Sequence, residues 1–118
     1  MVTFVGAEYI IANSLIALKR KKNRTTISFS ELNDLGIYIK KMSIEKDMDA
    51  VFLVSQDQLT SALFDFSDYF DYNENDKTIC IKNSKQINDL ASRFVGYLPW
   101  DVLAFLVETT DEFAKQSA

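Results

Sequence analysis

Apolar positions recur along this chain in two periods, one helical and one extended. From Phe4 to about residue 20, Phe4, Ala7, Ile11, Leu15 and Leu18 follow three- and four-residue spacing, which is one helical stripe. Val5, Tyr9, Ala12 and Ile16 form a second stripe beside it, so this helix is apolar on two sides and requires cover on both. Residues 25–29 are short and β-prone. They run into Ser28-Phe29-Ser30-Glu31, a capping box in which Ser28 accepts from a first-turn N–H and Glu31 reaches back to the cap's own N–H. Ile27 and Leu32 stand at the positions of a hydrophobic staple, and the helix that follows buries Leu32, Leu35, Ile39 and Met42, with Gly36 a weak point.

The same grammar repeats downstream. Residues 50–54 are a compact apolar run, read as a buried strand or the approach to the next helix. Ser55-Gln56-Asp57-Gln58 is a second capping box with Val54 and Leu59 as its staple, and Leu59, Leu63, Phe66 and Phe70 mark the buried stripe of a third helix. Residues 69–82 read as a hairpin: Asn73-Glu74-Asn75-Asp76 is turn chemistry, and residues 78–82 alternate as a half-buried strand does. Asn83 or Ser84 caps a fourth predicted helix with Ile87, Leu90, Ala91 and Phe94 inward, ending at Gly96. Pro99 begins a last helix, with Trp100, Leu103 and Val107 on one face and Val102, Leu106 and Phe113 towards the other. A first and a last helix that are each apolar on two sides predict a homodimer built on one or both.

Composition narrows the classes. The chain has 118 residues, 47% apolar and 25% charged, which fits one globular domain over residues 1–118 and excludes wholesale disorder. One cysteine, Cys80, permits no intrachain disulfide and no multi-cysteine zinc site, and the lack of histidine removes the commonest general base and zinc ligand. The apolar stretch at residues 2–18 carries its positive charge after the apolar run and is interrupted by Glu8 and Asn13. It is therefore read as neither a signal peptide nor a membrane anchor, and a cytoplasmic protein is expected.

Charge is segregated beneath the net −4. Residues 1–46 hold eight Lys or Arg against four Asp or Glu, a surplus of +4, with five of the cations in residues 19–24. Residues 47–76 hold eight acids and no Lys or Arg. A helix C-terminus is complemented by one or two cations, so five in six positions suit phosphate contact as well.

The order of helix, short strand, two capped helices and hairpin resembles a winged helix-turn-helix domain. The strand at 25–29, the helices capped by Ser28 and Ser55, and the hairpin as wing carry the likeness across about residues 4–94, with a C-terminal helix over about 99–115. The fold class expected is mainly α with a small antiparallel sheet, in the order α-β-α-α-β-β-α plus the last helix. Its third strand comes from residues 25–29 or 50–54. The resemblance implies DNA binding, with the helix before the wing in the major groove and the wing beside a phosphate backbone. This chain departs from that pattern, because its groove helix presents Asp57, Ser61, Phe64 and Asp68, with Asp65 nearby, and no Arg or Lys.

Two functions follow. The first is a small DNA-binding regulatory or accessory protein that contacts phosphates of double-stranded DNA through Lys19, Arg20, Lys21, Lys22 and Arg24, aided by Lys77 and Lys82 of the hairpin. The second is an interaction module or inhibitor that sets Asp57, Ser61, Phe64, Asp65 and Asp68 against a basic protein partner. Neither requires a cofactor or catalysis. Residues 71–76 match the first oxygens of a calcium loop, but Asp76 stands where that loop needs Gly and Lys82 where it needs Glu, so a polar turn is the better account. Cys80, mid-strand with no activating partner in sequence, reads as packing.

Overall fold

The structure is a computed structural model that describes residues 3–82 and 98–116. Its elements are β1 (Thr3–Val5), α1 (Ala7–Lys22), β2 (Thr26–Ser28), α2 (Phe29–Glu45), β3 (Ala50–Phe52), α3 (Gln56–Asp65), β4 (Phe70–Asn73), β5 (Thr78–Ile81) and α4 (Trp100–Gln116). The described part is thus mainly α with a small antiparallel sheet, as the apolar periods predict. The helix expected over about 84–96 lies outside the described residues.

Both capping boxes form. Ser28 Oγ accepts from the Glu31 N–H at 3.1 Å while the Glu31 carboxylate accepts from the Ser28 N–H at 3.5 Å. At α3 the pair is Gln58 N–H to Ser55 Oγ at 3.2 Å and Ser55 N–H to Gln58 Oε1 at 3.0 Å. Two orphan donors are satisfied at each start, which fixes where the helices begin. The staple residues Ile27, Leu32, Val54 and Leu59 are all buried.

β2, β5 and β4 form one antiparallel sheet in that order, with Ile27 opposite Ile79 and Tyr72 opposite Ile79 on the other side. The third strand is therefore residues 26–28. Ile27, Phe70 and Ile79 turn inward to the core, while Thr26, Cys80 and Asp71 share the outer face because side chains alternate along a strand. The hairpin turn is built by Asn73, whose Oδ1 accepts from the N–H groups of Asn75 and Asp76 at 3.0 and 3.2 Å. Lys77 closes it in the left-handed region at φ 56°.

Two expectations on boundaries are corrected. Phe4 does not belong to the first helix. Residues 3–5 form β1, which pairs in parallel with β3 in the register Thr3 to Ala50, Phe4 to Val51 and Val5 to Phe52. This second sheet buries Val5 and Phe52 and leaves Phe4 and Val51 together on the outside. The third helix ends at Asp65, with Phe66 as its C-cap, so Phe70 is buried from a strand and not from a helical stripe.

α1 is the central element. Ile10, Ile11, Ala12, Asn13, Ser14, Leu15 and Ile16 are all buried in succession, so the helix is enclosed on every side along this stretch. Its cover includes α4, α3 and α2 of the same chain. Both apolar sides of α1 are thus covered internally, and the argument for a second copy on this helix lapses. Asn13 donates from Nδ2 to Thr110 Oγ1 at 3.0 Å, and the Thr110 hydroxyl donates onward to the Leu106 carbonyl at 2.7 Å, which pins α4 to α1. Phe52 and Phe105 meet at a tilt with centroids 5.5 Å apart and tie β3 to α4. Gly36 lets α2 lie close to the chain after β3, since a Cβ there would come within 3.0 Å of Val54 Cβ.

α4 buries Val102, Phe105, Leu106, Thr109 and Thr110. Its other side is left open at Trp100, which is 83% exposed, and at Val107.

Candidate functional site

The two predicted sets of site residues have different fates. The basic run closes α1 and passes through Asn23, whose left-handed backbone at φ 50° ends the helix, directly into β2. Lys19 donates to Asn23 Oδ1 at 3.0 Å, Arg20 is exposed, and Lys21 and Lys22 are the last two residues of α1. Arg24 lays its guanidinium fork on Glu31, with nitrogens 3.3 and 3.4 Å from the two carboxylate oxygens, and donates to the Thr26 carbonyl at 3.2 Å. Burial raises the Glu31 pKa, but Arg24 and the Ser28 cap outweigh it and hold the carboxyl below its ordinary value. Arg24 therefore serves the start of α2. It also borders an open groove with Thr25, Thr26, Ser28 and Thr78.

The hairpin cations sit at opposite ends of β5. Lys77 lies at the turn end of β5, where its carbonyl accepts from the Phe29 N–H at 2.8 Å. Lys82 lies past the other end and donates from Nζ to the Ser67 carbonyl at 3.4 Å. Five residue steps of nearly extended chain separate them, on the order of 16 Å.

The acidic set is more coherent. Asp57, Ser61, Phe64, Asp65 and Asp68 are all exposed, as their positions opposite the buried stripe predict. Asp57, Ser61 and Asp65 recur at four-residue spacing and line one open cleft of about 330 Å³. Across it stand Gly6, Ala7 and Glu8 at the start of α1, with Leu53, Ala62 and Phe66 supplying apolar wall. Three carboxylates, Glu8, Asp57 and Asp65, thus face one recess that no Lys or Arg among the described residues lines. Such a recess suits a cation on an aliphatic stem, because the stem packs on the apolar wall while the charge meets the carboxylates.

Glu8 is the member that sequence reasoning missed. In sequence it only interrupts an apolar run, and nothing local signals that β1 turns the start of α1 towards α3. Phe64 stands apart from the cleft. It is 55% exposed and rests edge-on against Tyr72 at 6.3 Å, and Tyr72 in turn meets Phe29 at 6.0 Å. This aromatic row links α3, the hairpin and the start of α2, so Phe64 is held in one place while most of its ring meets water.

Elsewhere, the Cys80 thiol is pushed up by burial and by the Asp71 carboxylate opposite it, which keeps it in its unreactive protonated form. Among the described residues no helix is long and apolar enough to cross a membrane, and no three His, Cys, Asp or Glu side chains are close enough together to hold a metal ion. Scans of protein-family models, curated proteins and solved structures find no match to this chain.

Proposed function

We propose that the protein is an interaction module that presents the acidic side of α3 to a basic protein partner. One observation carries this reading: Asp57, Ser61 and Asp65 line, together with Glu8, a single partly apolar cleft. A lysine or arginine of the partner enters there, and Phe64, steadied by Tyr72, supplies an aromatic contact nearby. Asp68 and the hairpin acids Asp71, Glu74 and Asp76, all exposed, extend the negative field that draws a basic partner in. The module carries the sign of charge that nucleic acid has, which also suits an inhibitor that occupies a nucleic-acid site.

A second reading, a small DNA-binding regulatory protein of winged-helix type, draws support from topology. The order α1, β2, α2, α3, β4, β5 with sheet order β2-β5-β4 agrees with the resemblance in the sequence, and the basic run leads into the edge strand β2. It ranks second because Arg24 and Lys82 are engaged within the chain and because the groove helix would bring carboxylates to phosphate.

Anisotropy titrations with a labelled Lys/Arg-rich peptide and with a random-sequence duplex, at low and high salt, separate the two. The interaction reading expects peptide binding that the triple change Glu8→Gln, Asp57→Asn, Asp65→Asn weakens at least tenfold. The DNA reading expects duplex binding whose salt slope falls by about one unit per contact when Lys19, Arg20, Lys21 and Lys22 become Gln. Peptide binding indifferent to the cleft variant would refute the first reading.

A further inference from the structure

Two exposed helix faces, on α2 and α4, match each other in spacing and oppose each other in charge. On α2, Ile37 and Ile44 are 60% and 74% exposed, and Lys40 and Lys41, also exposed, stand between them. Seven residues are two helical turns, so the isoleucines share one face about 10 Å apart with the lysines flanking the line that joins them. This face is turned from the core, because α2 buries Leu32, Leu35, Gly36, Ile39 and Ser43 on its opposite side. On α4, Trp100 and Val107 are likewise seven residues apart, 83% and 38% exposed, with Asp101 and Glu108 exposed beside them.

The two faces cannot meet within one chain. α2 and α4 already touch through other side chains: Tyr38 meets Phe113 at a tilt with centroids 5.7 Å apart and donates to Glu112 at 3.3 Å. At the other end of α2, Lys46 sits over the Phe105 ring at 5.8 Å. Each helix thus spends one side on its neighbour and the core, and its exposed face points elsewhere.

We propose that the α2 face of one copy receives the α4 face of a second copy of this chain. Ile37 and Ile44 pack against Trp100 and Val107. The stems of Lys40 and Lys41 cover Leu103 and Ala104, and their ammonium groups reach Asp101 and Glu108. Matched seven-residue spacing and opposite charge select this occupant, since two α2 faces would oppose lysines and two α4 faces would oppose carboxylates. Every copy carries one face of each kind, so reciprocal contact closes a dimer and non-reciprocal contact propagates a chain.

The test uses charge exchange and the chain's one tryptophan. Light scattering and Trp100 emission are followed while the full-length wild type is diluted from on the order of 100 µM. The expected result is a mass at least twice the monomer's at the top of the range. Emission should shift to the blue there, because Trp100 leaves water, and to the red on dilution. Lys40→Glu with Lys41→Glu, and separately Asp101→Lys with Glu108→Lys, are each expected to remain monomeric with unchanged circular dichroism. An equimolar mixture of the two variants is expected to associate again, since both contacts regain opposite charge. A wild type that stays monomeric with constant emission overturns the proposal. So do variants that associate as wild type does, or a folded pair whose mixture stays monomeric.

Discussion

Thr110→Val tests the polar link between α1 and α4. Valine keeps the branched shape, so no cavity opens and helix propensity hardly changes. The hydroxyl that accepts from Asn13 Nδ2 at 3.0 Å is lost, and the amide keeps only the Leu106 carbonyl, at 3.5 Å. Asn13 is 5% exposed, so water does not replace the partner, and stranding a buried amide costs about 1–3 kcal/mol. Asn13→Leu should cost less, about 1 kcal/mol or below, because Thr110 still donates to Leu106 at 2.7 Å and no donor is orphaned. In the double variant two apolar groups meet, so its loss should fall short of the sum of the single losses by about 1–2 kcal/mol. Urea unfolding followed by far-ultraviolet circular dichroism reads these differences. With a slope of about 1–1.5 kcal/mol per molar urea, Thr110→Val should lower the midpoint by about 0.7–3 M. Additive single effects, or a Thr110→Val loss under about 0.5 kcal/mol, would refute the reasoning.

Three further outcomes are expected. Ser28→Ala and Ser55→Ala should each cost about 1 kcal/mol in thermal or urea melts, and glycine at either position only a few tenths. Lys77→Gly should raise stability by about 0.5 kcal/mol, because it relieves a left-handed lysine in the hairpin turn, and a lowered midpoint would contradict this. The Glu31 pKa is lowered in the fold, so its contribution is present above the ordinary carboxylate pKa and is lost as pH falls through the lowered value. Arg24→Gln should shrink that acid-side loss, which is modest because the pair is partly exposed at 43% and 36%.

What the sequence disclosed was what local chemistry controls. The starts of α2 and α3 were legible to the residue because each capping box is a contact three residues long, and the hairpin was legible from Asn73 and the alternation after it. β1 was not, nor was the partner of the strand that 50–54 offered, because three residues carry no period and the pairing joins positions 3–5 to 50–52. Phe4 fitted a helical stripe by spacing alone, and only the partner strand decides otherwise. For the same reason the acidic residues of α3 were found while Glu8 was missed: one helix aligns Asp57, Ser61 and Asp65, whereas the cleft needs a second element brought from far away.

The central place of α1 bears on how the chain is made. Asn13 and its acceptor carbonyl at Leu106 are 93 residues apart, and ribosomes add about 5–20 residues per second. For on the order of 5–20 s, then, the enclosed central helix exists while α4, one part of its cover, is still untranslated. During that interval the side of α1 that packs on α4 lacks its native cover, a state open to a holding chaperone.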